Sequence, residues 1–335
     1  MKVTIKQIAK EAGVSVTTVS NVINHKAHRV SDDKKKLIEN LINKRGYTPN
    51  MNARALVQSS SSLIGLLYYS FQEHINFSDP FVTEILEGIE QSAKATGYFT
   101  LVHNVTSVAD IEVVQRNWRF EGYIMIGVSE AFFEEVYDKL TAPVVFIDTH
   151  LPSIKYQELN HPCWFINTDD YQASYEATHY LLEKGHQKIA FLSYSFQASQ
   201  TGVIQQRYAG YLHALQTQGQ KPDLNLRFTR DDFEQMAVAL KEYTAVIATA
   251  DVLAMEFIHY LKERDLYDQK QTALISFDDI RYASLCDPPL TTIRLDQIRK
   301  GSLAMESLIE MIKDPDGDRE VLQLIKGELV IRKSS

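Results

Sequence analysis

The stretch Val3-Thr4-Ile5-Lys6-Gln7-Ile8-Ala9-Lys10-Glu11-Ala12-Gly13-Val14-Ser15-Val16-Thr17-Thr18-Val19-Ser20-Asn21-Val22-Ile23 decides the first part of the fold. Thr4 and Gln7 have the spacing of a capping box, in which the hydroxyl accepts from the third helical N–H while the amide side chain reaches back. Ile8, Ala9 and Ala12 then give one small apolar face. Gly13 breaks the run, Val14 follows, and Ser15 is placed to cap a second helix through Asn24, with Val19, Val22 and Ile23 at helical offsets on its inner side. The pair has the form of a helix-turn-helix: Ala9 is small where the helices cross, Gly13 supplies the turn and Val14 plugs the junction. In that motif the second helix lies in a major groove with its N-terminal side chains at base edges, which singles out Val16, Thr17 and Asn21 as direct readers. The same pattern also suits a three-helix module that binds protein.

Working outward, Ser31-Asp32-Asp33 is placed to cap a third helix, with acids in the first turn where the helix dipole favours them. Leu37, Ile38, Leu41 and Ile42 form its apolar stripe, and Gly46 followed by Pro49 ends it. Asn50–Val57 has length for about two helical turns, too short to stand alone in water. The Ser59–Ser62 run beside it reads as a linker. The segment is a hinge. Residues 1–62 carry 11 Lys/Arg against 4 Asp/Glu, a net of +7, whereas the whole 335-residue chain has a formal charge of −8. The remainder therefore stands at −15. A basic head on an acidic body points to two different partners, with the polyanion at the N-terminus.

From Leu63 the pattern becomes short apolar runs alternating with amphipathic stretches. Strands are expected at Leu63–Tyr69, Phe99–His103, Tyr123–Gly127, Val144–Ile147, Lys188–Ser193, Ala245–Thr249 and Ala273–Phe277. Helices are expected between them at Phe81–Thr96, Tyr171–Lys184, Gln205–Gln218 and Val252–Arg264. Continuously apolar strands alternating with helices predict doubly wound parallel sheets covered on both faces. The stretch is roughly twice what one such sheet needs, so two α/β lobes are expected, dividing near Leu159–Pro162. In such sheets ligands sit beyond the carboxyl ends of the strands, which brings forward Tyr69, Asp148, Tyr194, Asp251 and Asp278.

Several classes drop out. Cys163 and Cys286 are too few for a disulfide scaffold or a Cys-based zinc site and are expected to be small buried residues. The N-terminus has no apolar core of a signal peptide, and no run approaches the length of a membrane span, so a soluble, cytoplasmic protein is expected. No G-x-G-x-x-G after a strand, P-loop, G-x-S-x-G or H-E-x-x-H occurs, and the histidines lack ligand spacing. Neither an enzyme nor a cofactor or metal is expected. Asp278-Asp279 is a poor metal or hydrolase pair, because adjacent side chains diverge.

The residues Val3–Ser15 and Thr18–Asn24, with Val30-Ser31, Gly46–Asn50 and Ala53–Leu56, resemble the head of the LacI/GalR family of bacterial transcription repressors. The similarity extends through Ser78-Asp79-Pro80-Phe81, Gly185–Ala190, Arg207–Tyr211, Ser276–Asp279, Pro289–Ile293 and Leu329–Arg332. It implies a helix-turn-helix head over residues 1–48 and a hinge helix with its linker over 49–62. It also implies a periplasmic-binding-protein-like (type I) body with three crossovers. The expected lobes are 63–161 with about 291–320, and 162–290 with about 321–335. The resemblance further implies a homodimer on a pseudopalindromic double-stranded operator, with Leu56 as a wedge in the minor groove. The other DNA contacts are expected from Thr4, Ser15, His28, Tyr47, Asn50 and Ala53. A small-molecule effector, expected to be a sugar or glycoside, would lie between the lobes against Tyr69, Asp79, Phe81, Asp148, Tyr194, Arg207, Asp251 and Asp278. Three departures matter. Asn21 stands where the family often has Arg, and Asn pairs best with adenine where Arg pairs with guanine. Ala250 stands where many relatives have Asn, and Thr149 where many have Arg, so the pocket is less polar than a monosaccharide site. Two alternatives are a solute-binding protein without regulatory DNA binding, against which the basic head argues, and a regulator controlled mainly by a protein co-regulator.

Overall fold

A computed structural model describes residues 3–23, 30–47, 61–70, 74–159, 162–268, 272–317 and 320–335. The chain divides into two compact units, Met1–Ser62 and Leu63–Ser335. In the first, the helices are α1 (Ile5–Ala12), α2 (Val16–Ile23) and α3 (Asp32–Arg45). The capping box forms as the sequence requires: Gln7 N–H donates to Thr4 Oγ1, and Thr4 N–H donates to Gln7 Oε1 at 2.8 Å. Gly13 sits at φ 64°, a left-handed turn that costs a side-chain-bearing residue more than glycine, and Val14 N–H closes the turn on the Ala9 carbonyl at 3.1 Å. Ser15 Oγ accepts from the Thr18 amide at 3.1 Å and so starts α2. Ser31 occupies the N-cap of α3 without making a side-chain cap bond. Ile8, Ala9, Ala12, Val19, Val22 and Ile38 form the small core, and Arg45 pairs with Glu11 across α3 and α1.

The second unit contains two six-stranded sheets. Its strands are β1 (Leu63–Tyr69), β2 (Phe99–Val105), β3 (Gly122–Ile126), β4 (Val144–Ile147), β5 (Cys163–Thr168), β6 (Ile189–Ser193), β7 (Arg227–Thr229), β8 (Ala245–Ala248), β9 (Ala273–Asp278), β10 (Thr291–Arg294), β11 (Leu322–Ile325) and β12 (Glu328–Val330). Its helices are α4 (Pro80–Thr96), α5 (Val108–Asn117), α6 (Glu130–Val136), α7 (Asp170–Glu183), α8 (Val203–Thr217), α9 (Phe233–Val238), α10 (Asp251–Lys262) and α11 (Gln297–Lys313). The strand orders are β2-β1-β3-β4-β5-β11 and β7-β6-β8-β9-β10-β12. Only β12 runs antiparallel, against β10, among the described pairings. The interiors of β3, β4, β6 and β8 are fully buried, as a sheet covered on both faces demands, and each sheet has an apolar core on either side.

The chain passes between the lobes three times: after β5, after β10 and between β11 and β12. The expected lobe boundaries are corrected accordingly. β5 bonds to β4 in register Val144↔Cys163, so the first lobe continues to residue 168 rather than ending at 161. β10 belongs to the second sheet through β9, although 291 was expected to open the return to the first lobe. β11 pairs with β5, so residues 322–325 belong to the first lobe and not the second.

Two helix pairs come unusually close. A Cβ on Gly88 would lie 1.9 Å from the Ile298 carbonyl oxygen, and one on Gly301 2.1 Å from that of Ile85, which locks α4 against α11. In the second lobe a Cβ on Gly210 would lie 2.1 Å from the Tyr171 carbonyl, which locks α8 against α7. These crossings fix the starts of α4 and α7 at the carboxyl ends of the sheets. Gly88→Ala is expected to force α4 and α11 apart and to cost about 1–3 kcal/mol or more in urea unfolding; an unchanged midpoint would contradict the packing.

Candidate functional site

Beyond the carboxyl ends of the strands lies a cleft of about 430 Å³. The first lobe contributes Asn76, Ser78, Asp79, Pro80, Phe81 and Asp148. The second contributes Tyr194, Arg207, Thr249 and Asp278, a small apolar patch from Val203, Ile204, Ala250 and Val252, and the pair Arg230 and Glu256. Six expected effector residues thus converge: Asp79, Phe81, Asp148, Tyr194, Arg207 and Asp278.

Each is fixed before a ligand arrives. Asp79 caps α4, its Oδ1 accepting from the Phe81 amide at 3.0 Å, and burial lifts its carboxyl above the usual range. Arg207 is 6% exposed, and its Nε donates to Asp170 Oδ1 at 2.7 Å. Its Nη1 donates to the Thr249 carbonyl at 2.5 Å, and the guanidinium lies 4.2 Å from the centre of the Phe277 ring. Burial alone would raise the Asp170 carboxyl, but Arg207, His150 and Lys300 together outweigh it and hold the group below the usual carboxylate range. His150 Nε2 lies 3.3 Å from Asp170 Oδ2, on the carboxylate oxygen that Arg207 does not take.

Asp148 follows β4 at φ 52°, a left-handed conformation that Asp tolerates better than most residues. Beneath it is the 1%-exposed Lys300, whose Nζ donates to Asp148 Oδ1 at 2.8 Å, Oδ2 at 2.9 Å and Thr168 Oγ1 at 2.7 Å. Asp278, at φ 111°, ends β9. Burial raises its carboxyl well above the usual range, with Arg207 opposing and Asp251 and Asp79 reinforcing the rise. Its neighbour Asp279 turns away to Arg294 and Arg332, so the two adjacent acids diverge as expected.

Two expected residues stand elsewhere. Asp251 does not line the cleft: fully buried, it accepts from Ser276 Oγ at 2.5 Å, Thr292 Oγ1 at 2.6 Å and the Ile280 amide at 2.9 Å. Its three bonds stitch α10 to β9 and β10, and they turn it inward. Tyr69 is likewise absent from the lining, because its ring stacks on Phe132 at 4.3 Å inside the first lobe. Strand-end position alone does not say which way a side chain turns. Sequence reasoning also missed Arg230 and Glu256, which form a two-point pair at 2.7 and 2.6 Å on the cleft wall. They are 26 residues apart, and no local pattern couples them. The lobes also meet at Thr201, whose hydroxyl lies 2.8 Å from Glu130 Oε2 and 2.7 Å from the His150 carbonyl oxygen.

In the head, Thr4, Ser15, Val16 and Thr17 are exposed and Asn21 is half-buried. Tyr47 is half-buried against the small core. His28, Asn50, Ala53 and Leu56 lie outside the described residues. Among the described residues no group of His, Cys, Asp and Glu is arranged to hold a metal ion, and no helix is long and apolar enough to cross a membrane. Cys163 and Cys286 are unpaired and partly buried, a little more open than expected.

Residues 4–50 match the lacI family of bacterial regulatory proteins, and residues 178–335 match the periplasmic binding protein-like domain. The chain is 30% identical over 349 residues to the HTH-type transcriptional repressor PurR of Mannheimia succiniciproducens, spanning 99% of this chain and 98% of that protein. This chain belongs to the LacI family. It is a DNA-binding transcriptional repressor of that family, and not an enzyme. The HTH-type transcriptional regulator RegA of Clostridium saccharobutylicum is 27% identical over 343 residues and spans all of both chains. The fold agrees with the lac repressor dimer bound to operator and the anti-inducer ONPF, at a TM-score of 0.84, 24% identity and coverage of 100% and 99% of the two chains. It also agrees with the CelR–cellobiose complex, at a TM-score of 0.72, 19% identity and full coverage of both chains.

Two outcomes check the site of this LacI-family chain. Burial lifts the Asp251 carboxyl to about 6 against the bonds it accepts. Its folded value is thus above its unfolded one, so its contribution to stability is present at acid pH and lost as pH rises through about 6. A carboxyl-carbon NMR titration is expected to show that midpoint, and one in the ordinary Asp range would contradict it. Lys300→Met leaves the buried Asp148 without its counter-charge and is expected to cost about 3–5 kcal/mol in urea unfolding. Loss of less than about 1 kcal/mol would mean the pair is solvated rather than buried.

Proposed function

We propose that this repressor binds a pseudopalindromic operator as a homodimer and is controlled by a small molecule held in the interlobe cleft. The observation that carries the reading is the convergence of Asp79 and Asp148 from one lobe with Arg207 and Asp278 from the other on one cavity. Planar, hydrogen-bonding Asp and Arg with Tyr194 and Phe81 alongside suit a sugar or glycoside, the class of ligand named in the CelR–cellobiose complex. A ligand that touches both lobes binds one lobe arrangement better than another, which is all that coupling to DNA affinity needs.

On the DNA side, Val16, Thr17 and Asn21 read base edges from the second helix, with Asn21 favouring adenine. Thr4, Ser15, His28, Tyr47, Asn50 and Ala53 position the head and hinge on the backbone, and Leu56 opens a base step from the minor groove. The basic head and the −15 body orient the contact, since the body repels duplex DNA. The site of action is the cytoplasm, where the operator is.

Selection of duplexes from a random pool by the full chain tests the first half: a two-fold-related pair of half-sites is expected, and no enrichment would defeat the reading. Leu56→Ala is expected to weaken operator binding at least about tenfold while leaving the melting temperature unchanged. Arg207→Lys is expected to keep operator binding and lose the effector response; if it loses operator binding instead, the cleft is not the control site.

A further inference from the structure

The cleft has a charge pattern that narrows what it can hold. Four carboxylates and two guanidinium groups line it. Both guanidinium groups already have anionic partners: Arg207 bonds Asp170, and Arg230 takes both oxygens of Glu256. Of the carboxylates, Glu256 is matched by Arg230, and Asp148 is matched by Lys300 on both its oxygens. Asp79 and Asp278 are left. Neither has a cationic side chain within ion-pair distance among the described residues, and they stand on opposite lobes. Asp79 accepts the Phe81 amide and keeps further acceptor capacity. Asp278 is held at the end of β9 with its carboxyl on the cavity.

An anionic ligand entering this space meets two carboxyls without an ion-pair partner and no cationic side chain without one. A ligand rich in hydroxyl groups meets the acceptors Asp79 and Asp278, the unused N–H groups of Arg207 and the Tyr194 ring. We infer that the cleft takes a hydroxyl-rich ligand that is uncharged or carries a protonated amine, with Asp79 and Asp278 accepting from it from opposite lobes, and that it rejects phosphorylated and carboxylated analogues. The inference rests on the cleft being the effector site.

The test uses the full chain and four matched probe classes at constant ionic strength: neutral mono- and disaccharides, amino sugars, sugar phosphates and uronic acids. Thermal unfolding finds the binders, since a ligand of the native state raises the melting temperature. Calorimetric titration then compares each binder with its charged analogues. A neutral or amino probe is expected to bind, with the phosphate or uronate analogue at least about tenfold weaker. Asp79→Asn with Asp278→Asn is expected to shrink that gap to near unity by removing the two unpaired carboxyls while keeping an acceptor oxygen at each position. An anionic probe that binds equally or more tightly, through a shift that Arg207→Lys abolishes, overturns the inference and keeps the effector site. No stabilisation by any class overturns the effector site itself, and the inference with it.

Discussion

The ion pair between Asp170 and Arg207 is where the topology of the body becomes a binding site. Asp170 is the first residue of α7, immediately after the chain has crossed from the first sheet to the second. It is wholly buried, which a carboxylate tolerates only beside a matched charge. Arg207 supplies that charge from α8, and the Gly210 crossing brings α8 close enough to do so. The bond to the Thr249 carbonyl and the stack on Phe277 then fix the guanidinium over the ends of β8 and β9. One buried acid at a crossover thus orients the arginine that lines the cleft. Lys300 does the same for Asp148 in the first lobe, reaching from a helix locked in place by Gly88 and Gly301.

Preorganisation of this kind has a consequence for control. Because Arg207 and Asp148 are held by partners beneath them, a ligand finds the polar groups of each lobe already aimed and loses little freedom in ordering them. Its binding free energy is then available to favour one relation between the lobes over another, with Thr201, Glu130 and the His150 carbonyl as contacts that such a change must remake.

Much of this was legible in the sequence. The capping box at Thr4, the turn at Gly13 and the apolar strands of β1, β3, β4, β6, β8 and β9 follow from local chemistry that tertiary packing does not overrule. β10 and β11 are not legible because they are short and carry Thr, Arg or Gln among few apolar residues, and β5 because its apolar run gives way to Asn167-Thr168. Missing them displaced the lobe boundaries, since a crossover is a matter of which strand pairs with which. Asp251 and Asp278 illustrate the limit at the site. Both are acids following apolar strands, yet one turns inward to Ser276 and Thr292 and the other to the cleft. The Arg230–Glu256 pair joins segments that only the fold brings together, and Lys300 reads as an ordinary helix lysine until α11 is packed on the first sheet.

The most direct measurement is a double-mutant cycle on Asp170→Asn and Arg207→Met, followed by urea unfolding of the full chain. The account predicts that each single variant is strongly destabilised, that the double variant is much less so than their sum, and that the coupling exceeds about 2 kcal/mol. Additive effects, with coupling below about 0.5 kcal/mol, would show that the pair does not set the arginine and would contradict the account at its root.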